Sequence, residues 1–594
     1  MKKLSALALL FLILVSPLYA SHLMGGEITW RCNGTGPNTG RFVFQVKLYR
    51  DCNGVPGPGS IVLTTNAPIG TINCLLVSQN DISPQGIGCP TCPNPMGLSN
   101  AVEEFIYESA PLFLNGTPPT TGWYFYYNNC CRNGSISNLL SGGDFTLRAK
   151  MYAFSGQNNN PCLDNSPYFP EPPTLGVCTG DTISYGHIAI DNDLDSLYYS
   201  WDHPLENGFP GTNVPFNSGY SYQSPLPGPT QNPLNYAAVL DPNHGIITFK
   251  SVTSGSFSTV TKVSSYKCGQ LVSEIFREVQ ITLIANCIIS TNPTVYNTAP
   301  DLLPNLPVES ISIVAGDTLF YSLTVTDFEA LATSAGGGPQ TMTLNANGMA
   351  FGDGDTSFTN GCLLPPCAVL TLPTPFSGPL MFVENMTWPT VCAHAGFNNG
   401  CLQHVRVFPF VFKINDNFCP AQGVVYKSLL VNVTGPLIYI TGNSLAVSYP
   451  GVSLQWYLNG VAIPNATDTI FTPTQSGIYS VIATTGSGCM MMCNSVNRVL
   501  SGINNNENEA SSIQVFPNPS SGNNILNVLL QNTKTGSNII RVIDITGKMV
   551  KQIPIYISTT NEHLLIDLGG LSKGIYTIQM NVGSREIQSK IVLN

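Results

Sequence analysis

Apolar and polar side chains alternate along most of this chain. Phe42, Phe44, Val46 and Leu48 are interleaved with Val43, Gln45, Lys47 and Tyr49. Phe145, Leu147, Ala149 and Met151 are interleaved with Thr146, Arg148, Lys150 and Tyr152, and Leu319, Tyr321, Leu323 and Val325 with Phe320, Ser322, Thr324 and Thr326. A period of two sends successive side chains to opposite faces of a pleated strand, so each run predicts a strand with one buried face. No long stretch joins helical spacing to capping signals. The pattern predicts an all-β chain of tandem antiparallel β-sandwiches, because half-buried strands separated by turns pack sheet on sheet.

At 594 residues the chain exceeds what one hydrophobic core supports. Breaks in the pattern place the boundaries. They fall at the polar run Gln157 to Pro161, at Ser290 to Pro293, at Gly435-Pro436 and in the Asn- and Glu-rich stretch 504–512. The expected segments are 21–160, which is rich in cysteine, then 161–289, 290–435 and 436–500, a linker at 501–510, and 511–594.

Composition narrows the function. Charged residues are 10% of the chain, against about 25% in average soluble domains, while Gly (55) and Pro (45) are abundant. Short strands joined by uncharged turns have this make-up. The net charge of −10 and the lack of a basic cluster beyond the first residues argue against nucleic acid, whose recognition needs Lys/Arg patches.

Residues 1–20 read as a signal peptide. Lys2 and Lys3 precede an apolar run, Leu4 to Val15, too short to span a bilayer, and Pro17 and Ala20 follow. No other run is long enough for a transmembrane segment. In an exported chain, eighteen cysteines predict disulfides. The zinc-like pairs Cys89/Cys92 and Cys130/Cys131 have no second ligand pair at matching distance. Cys362 and Cys367, Cys392 and Cys401, and Cys489 and Cys493 are close enough to pair locally.

The C-terminal segment carries Val515-Phe516-Pro517-Asn518-Pro519, Gly522, Asp544-Ile545-Thr546-Gly547-Lys548 and Gly574-Ile575-Tyr576. It resembles the type A C-terminal sorting domain of the Bacteroidetes type IX secretion system. That resemblance implies recognition by the type IX machinery, outer-membrane passage, and release or surface attachment. The motif positions carried over are Pro517, Asn518, Pro519, Gly522, Asp544, Gly547, Gly574 and Tyr576. The opening stretch from Ser21 to Trp30, with Leu48 to Gly54 and Tyr127 to Gly134, resembles large Bacteroidetes surface proteins that carry adhesin-like repeats. Asp191-Asn192-Asp193-Leu194-Asp195 before a Leu-x-Tyr strand is similar to the strand entry of cadherin-like bacterial modules, so 161–289 is read as a cadherin-like sandwich. Three carboxylates at alternate positions can converge on one hard cation, which makes Asp191, Asp193 and Asp195 candidate calcium ligands. Asp327, Glu329, Asp353, Asp355 and Asp416 repeat the theme more weakly. Segment 436–500 looks Ig-like, with Trp456 as the core residue of one strand and Tyr479 as a corner tyrosine.

No Gly-x-Ser-x-Gly, His-Glu-x-x-His or Gly-x-x-x-x-Gly-Lys motif occurs, and the seven histidines are scattered. The sequence therefore favours an exported, adhesin-like binding or structural protein without enzymatic activity. Its expected partner is a polysaccharide or a cell-surface ligand, with Tyr124, Tyr126 and Tyr127 as candidate exposed aromatics. A secreted carbohydrate-active or proteolytic enzyme is the alternative.

Overall fold

The structure is a computed structural model. It describes every residue except 1–22, 34–36, 85–88, 90, 93–100, 141–142, 155–161, 163, 181, 286, 292–293, 332–336, 352–361, 396–404, 449–452, 485–489, 493, 500–510, 517, 519, 521–524, 558–559, 583–584 and 594. The expected signal peptide lies outside these residues. Among the described residues the chain is all-β, with strands paired almost entirely antiparallel.

The first seven strands are β1 (Leu23–Cys32), β2 (Phe42–Asp51), β3 (Ser60–Thr65), β4 (Thr71–Asp81), β5 (Val102–Ser109), β6 (Trp123–Asn129) and β7 (Phe145–Met151). They hydrogen-bond in the order β1-β2-β5-β4-β3-β6-β7. The strand Gln270–Ile284 then joins the two ends. Ser273, Glu274 and Ile275 pair with β7, while Glu278 and Val279 pair with Gly26 and Gly25 of β1. Eight strands thus form a closed ring. Gly25 permits the closure, because a Cβ there would overlap the Glu278 carbonyl. An eight-stranded ring is just wide enough for side chains to fill. Here Trp30, Phe44 and Phe125 meet at its centre, with ring centroids 4.4–6.2 Å apart.

The other edge of the closing strand pairs along its length with Gly255–Lys267, which in turn carries Ser196–Trp201. Segments 21–160 and 161–289 therefore share one 13-stranded sheet, and the break read at Gln157 to Pro161 falls inside it. A buried ion pair backs the closure. Arg277 on the closing strand donates from Nε (2.6 Å) and Nη2 (2.7 Å) to Glu27 of β1, and the Tyr49 hydroxyl donates to the same carboxylate. Removing one partner of such a pair costs about 3–5 kcal/mol, because the other charge is left buried.

Segment 290–435 is a two-sheet sandwich around Trp388. Its Val308–Val314 strand runs parallel to Val424–Thr434, whereas its other strand pairs are antiparallel. Met349, Val411 and Tyr426 from this sandwich enter one apolar cluster with Tyr185, Ile247 and Phe249, so it packs against the preceding unit. Segment 436–500 is a smaller sandwich around Trp456 and Tyr479. Residues 512–593 form a three-stranded sheet packed on a four-stranded one.

Disulfides join Cys32–Cys162, Cys52–Cys92, Cys89–Cys419, Cys130–Cys131, Cys178–Cys287 and Cys362–Cys367. Cys268 and Cys392 are also disulfide-bonded. Cys362–Cys367 is the local staple that the spacing suggests; Cys401, Cys489 and Cys493 lie outside the described residues. Cys74 is a free thiol inside the ring, where burial pushes its pKa up to about 12.

Candidate functional site

Of the carboxylates singled out in the sequence, Asp193 and Asp195 come together, and Asp191 holds the turn beside them. Asp191 is buried at the turn before Ser196–Trp201, and its Oδ1 accepts the backbone N–H of Asp193 (2.8 Å) and of Asp195 (3.2 Å). Its Oδ2 accepts the Ser265 hydroxyl at 3.2 Å. Asp193 accepts from the backbone and the side-chain amide of Asn165. Asp164, which the sequence reading did not include, brings its carboxylate to within 4.8 Å of those of Asp193 and Asp195.

A cation of the chain's own stands among them. Lys267 is fully buried, with Nζ 2.8 Å from Asp195 Oδ2 and 3.6 Å from Asp164 Oδ1. Burial alone would lower its pKa, but Asp193, Asp164 and Asp195 hold it above the ordinary lysine value. Burial first, then mutual repulsion, raises Asp164 and Asp191 well above the usual carboxylate range. Calcium requires six to eight oxygens with free lone pairs at 2.3–2.6 Å. Here Asp191 and Asp193 spend their oxygens on N–H and O–H donors, and an ammonium faces Asp195. Lys267 is thus a cation supplied by the chain itself, while both oxygens of Asp164 are buried, among the described residues without a hydrogen-bond partner, beside Asp193 and Asp195. Sequence spacing could not bring in Lys267, because only strand pairing carries it to this loop.

The weaker acidic theme resolves into a turn cap. Asp416 is buried and accepts from the backbone N–H of Phe418 and Gly423 and from Asn297 Nδ2, all at 2.8–2.9 Å. Asp327 caps the N–H of Glu329 at 2.9 Å. Asp353 and Asp355 lie outside the described residues. Cys89 and Cys92 bind different cysteines, so neither thiol is free for zinc. Of the three candidate exposed tyrosines, on a run whose alternation leaves only one face outside, Tyr126 and Tyr127 are buried. Tyr124 is half-buried, 6.1 Å from the exposed ring of Phe209.

The C-terminal motif is held by specific hydrogen bonds. Asp544 Oδ1 accepts the backbone N–H of Thr546 and of Lys548 and the Thr546 hydroxyl, closing a turn in which Gly547 takes φ +85°. Left-handed backbone of this kind suits glycine. Tyr576 donates its hydroxyl to Ser572 O at 2.8 Å, four residues back, at the strand that Gly574 opens. Tyr479 donates to Gln475 O in the same way at 2.7 Å, so both small sandwiches carry a tyrosine corner. The amide of Asn518 lies along the last strand, Arg585–Leu593. Its Nδ2 donates to Lys590 O (2.7 Å), and its Oδ1 accepts from Val592 N–H (2.8 Å). Pro517, Pro519 and Gly522 lie outside the described residues.

Residues 514–594 match the family model of the secretion system C-terminal sorting domain. No curated protein matches the sequence significantly. Among solved structures, the chain is similar to the BSP domain of a biofilm-associated protein, at 9% identity over 96% of each chain and a TM-score of 0.14. It is similar to Drosophila N-cadherin domains EC1–3, at 9% identity over 64% of this chain and 91% of that one (TM-score 0.13). It is also similar to an endo-fucoidan hydrolase of glycoside hydrolase family 107, at 11% identity over 64% of this chain and 43% of that one (TM-score 0.13). Overlaps this slight carry no argument about function. The sorting domain does: the protein is exported to the cell surface or the extracellular space by the type IX route. Among the described residues no helix is long and apolar enough to cross a membrane.

Proposed function

We propose that this chain is an adhesin-like surface or secreted protein whose β modules bind a polysaccharide or a cell-surface partner. The observation that carries the reading is a sorting domain at residues 514–594 joined to a series of disulfide-linked β modules. The buried charges support it. Glu27 pairs with Arg277, Arg132 with Glu278, and Lys267 with Asp195, so each is spent on holding strands together. The sorting domain engages the secretion machinery, and the modules ahead of it are the cargo.

Two experiments test this. Deleting 511–594 is expected to trap the protein in the periplasm. The exported chain is expected to bind intact cells or immobilised polysaccharide without degrading polysaccharide or casein. Turnover that disappears on replacing one carboxylate would make it an enzyme instead.

A further inference from the structure

We propose that Lys267 and Asp195 become joined by an amide bond, an internal cross-link that the folded chain forms by itself. The inference goes beyond the adhesin-like reading and does not depend on it. It starts from strand register. Ser196–Trp201 is the edge strand that pairs with Gly255–Lys267, and Ser196 stands opposite Tyr266. Asp195 and Lys267 are one step beyond that pair, and their side chains meet, with Nζ 2.8 Å from Oδ2.

These groups are left to each other. Lys267 is completely buried, and among the described residues neither its Nζ nor Asp195 Oδ2 makes a directed hydrogen bond, so their contact is a close approach of charges. Asp191 and Asp193 are engaged by N–H and O–H donors. Asp164 is not. It is 9% exposed, both its carboxylate oxygens lack a hydrogen-bond partner, and Oδ1 is 3.6 Å from Nζ. Its carboxylate is also within 4.8 Å of that of Asp195. An amine, a carboxyl group to receive it and a second carboxyl group to move protons thus share one buried site.

The proton inventory balances inside this site. Burial favours the neutral amine of Lys267, and the charges of Asp193, Asp164 and Asp195 oppose it. Burial lifts Asp164 well above the usual carboxylate range, which makes it a base able to take a proton from an ammonium and an acid able to pass it on. Asp164 takes one proton from Nζ and hands it to Asp195, which cancels two buried charges at once. The Nζ lone pair attacks Cγ of Asp195, the C–N bond forms, and the C–O bond to the protonated oxygen breaks. A second Nζ proton leaves with that oxygen through Asp164. Ammonium and carboxylate become amide and water, and nothing is oxidised or reduced. Fixed proximity of this kind is equivalent to about 10⁵–10⁸ M of reactant, which drives condensation forward. The product replaces a buried ion pair by a neutral group and fastens the edge strand with a bond that reducing agents do not open.

The test is mass spectrometry of the exported chain after reduction and tryptic digestion. A branched peptide joining Lys267 to Asp195 is expected, one water lighter than its two parts, with no cleavage after Lys267. Asp195→Ala and Lys267→Arg are expected to abolish it. Asp164→Asn is expected to slow its formation at least about a hundredfold and Asp164→Glu to restore much of the rate, a rescue that a packing role would not give. Recovery of Lys267 and Asp195 on separate linear peptides from the unaltered chain overturns the proposal, whether or not any variant folds. A branch from Lys267 to Asp164 or Asp193 overturns the choice of Asp195, and undiminished linkage in Asp164→Asn overturns the part given to Asp164.

Discussion

The ammonium of Lys267 lies where four aspartates converge, and its position follows from the turn beside it. Lys267 pairs with Gln270 across Cys268 and Gly269, both of positive φ, as a two-residue hairpin turn requires. That turn fixes the register and drives Nζ into the loop of Asp191, Asp193 and Asp195. The carboxylates were legible because they fall within five residues of one loop. The lysine and Asp164 were not, because alternation along a strand says nothing about which loop the strand will meet. Chelation is therefore expected to leave the melting temperature of the full chain unchanged. Lys267→Met is expected to lower stability by about 3–5 kcal/mol, the cost of stranding buried carboxylates, with added calcium restoring part of it. A drop of several degrees in the unaltered protein on adding EDTA would instead make a metal the resident cation. The segment 161–289 is unsuited to this measurement by itself, because its long strands complete a sheet begun by β1 to β7.

At the scale of the element, strand alternation was the most legible feature, and it failed only where a second layer intervened. In Thr318–Thr326 the buried face is Leu319, Tyr321, Leu323 and Val325, while Phe320 between them is 75% exposed. In β2, Val43 and Tyr49 are buried along with the expected Phe42, Phe44, Val46 and Leu48, because neighbouring elements cover both faces. The corner role of Tyr479 was legible too, since it needs only a carbonyl four residues back; Tyr576, read only as a motif position, makes the same bond. The role of Asn518 was not legible, because its partners are on the final strand, whose place beside Asn518 is a matter of tertiary pairing. Two hydrogen bonds from one exposed side chain to a strand edge contribute about 1 kcal/mol in net terms. Asn518→Ala is expected to cost that much and to speed amide exchange at Val592. Unchanged protection at Val592 would show that the clamp does not hold the strand.

The whole molecule is less modular than its composition suggested. Cys89, between β4 and β5, bonds Cys419 in the third segment, across 330 residues. Lys413 of that segment also pairs with Glu171 at 3.5 Å, and Asn347 donates to the same carboxylate at 2.6 Å. Spacing marked Cys89 and Cys92 only as a zinc-like pair and left the disulfide partner of Cys89 open, since a bare list of cysteines offers no cue but proximity in sequence. Peptide mapping without reduction is expected to recover Cys89 joined to Cys419. Replacing both by serine is expected to cost roughly 5 kcal/mol, the chain-entropy value for so long a loop. A Cys89–Cys92 peptide would sink this arrangement.

The closing strand has a consequence for delivery. Glu27 and Arg277, which lock the seam, are 250 residues apart. A chain that emerges amino end first exposes its first seven strands as a curl with two bare edges, and nothing can shut it until the stretch near residue 284 has arrived. Contacts so distant in sequence form slowly, because the intervening loop must first be gathered in. The barrel is thus a latch whose bolt comes last, which keeps the leading part of the polypeptide pliable for as long as it is still being threaded through a pore.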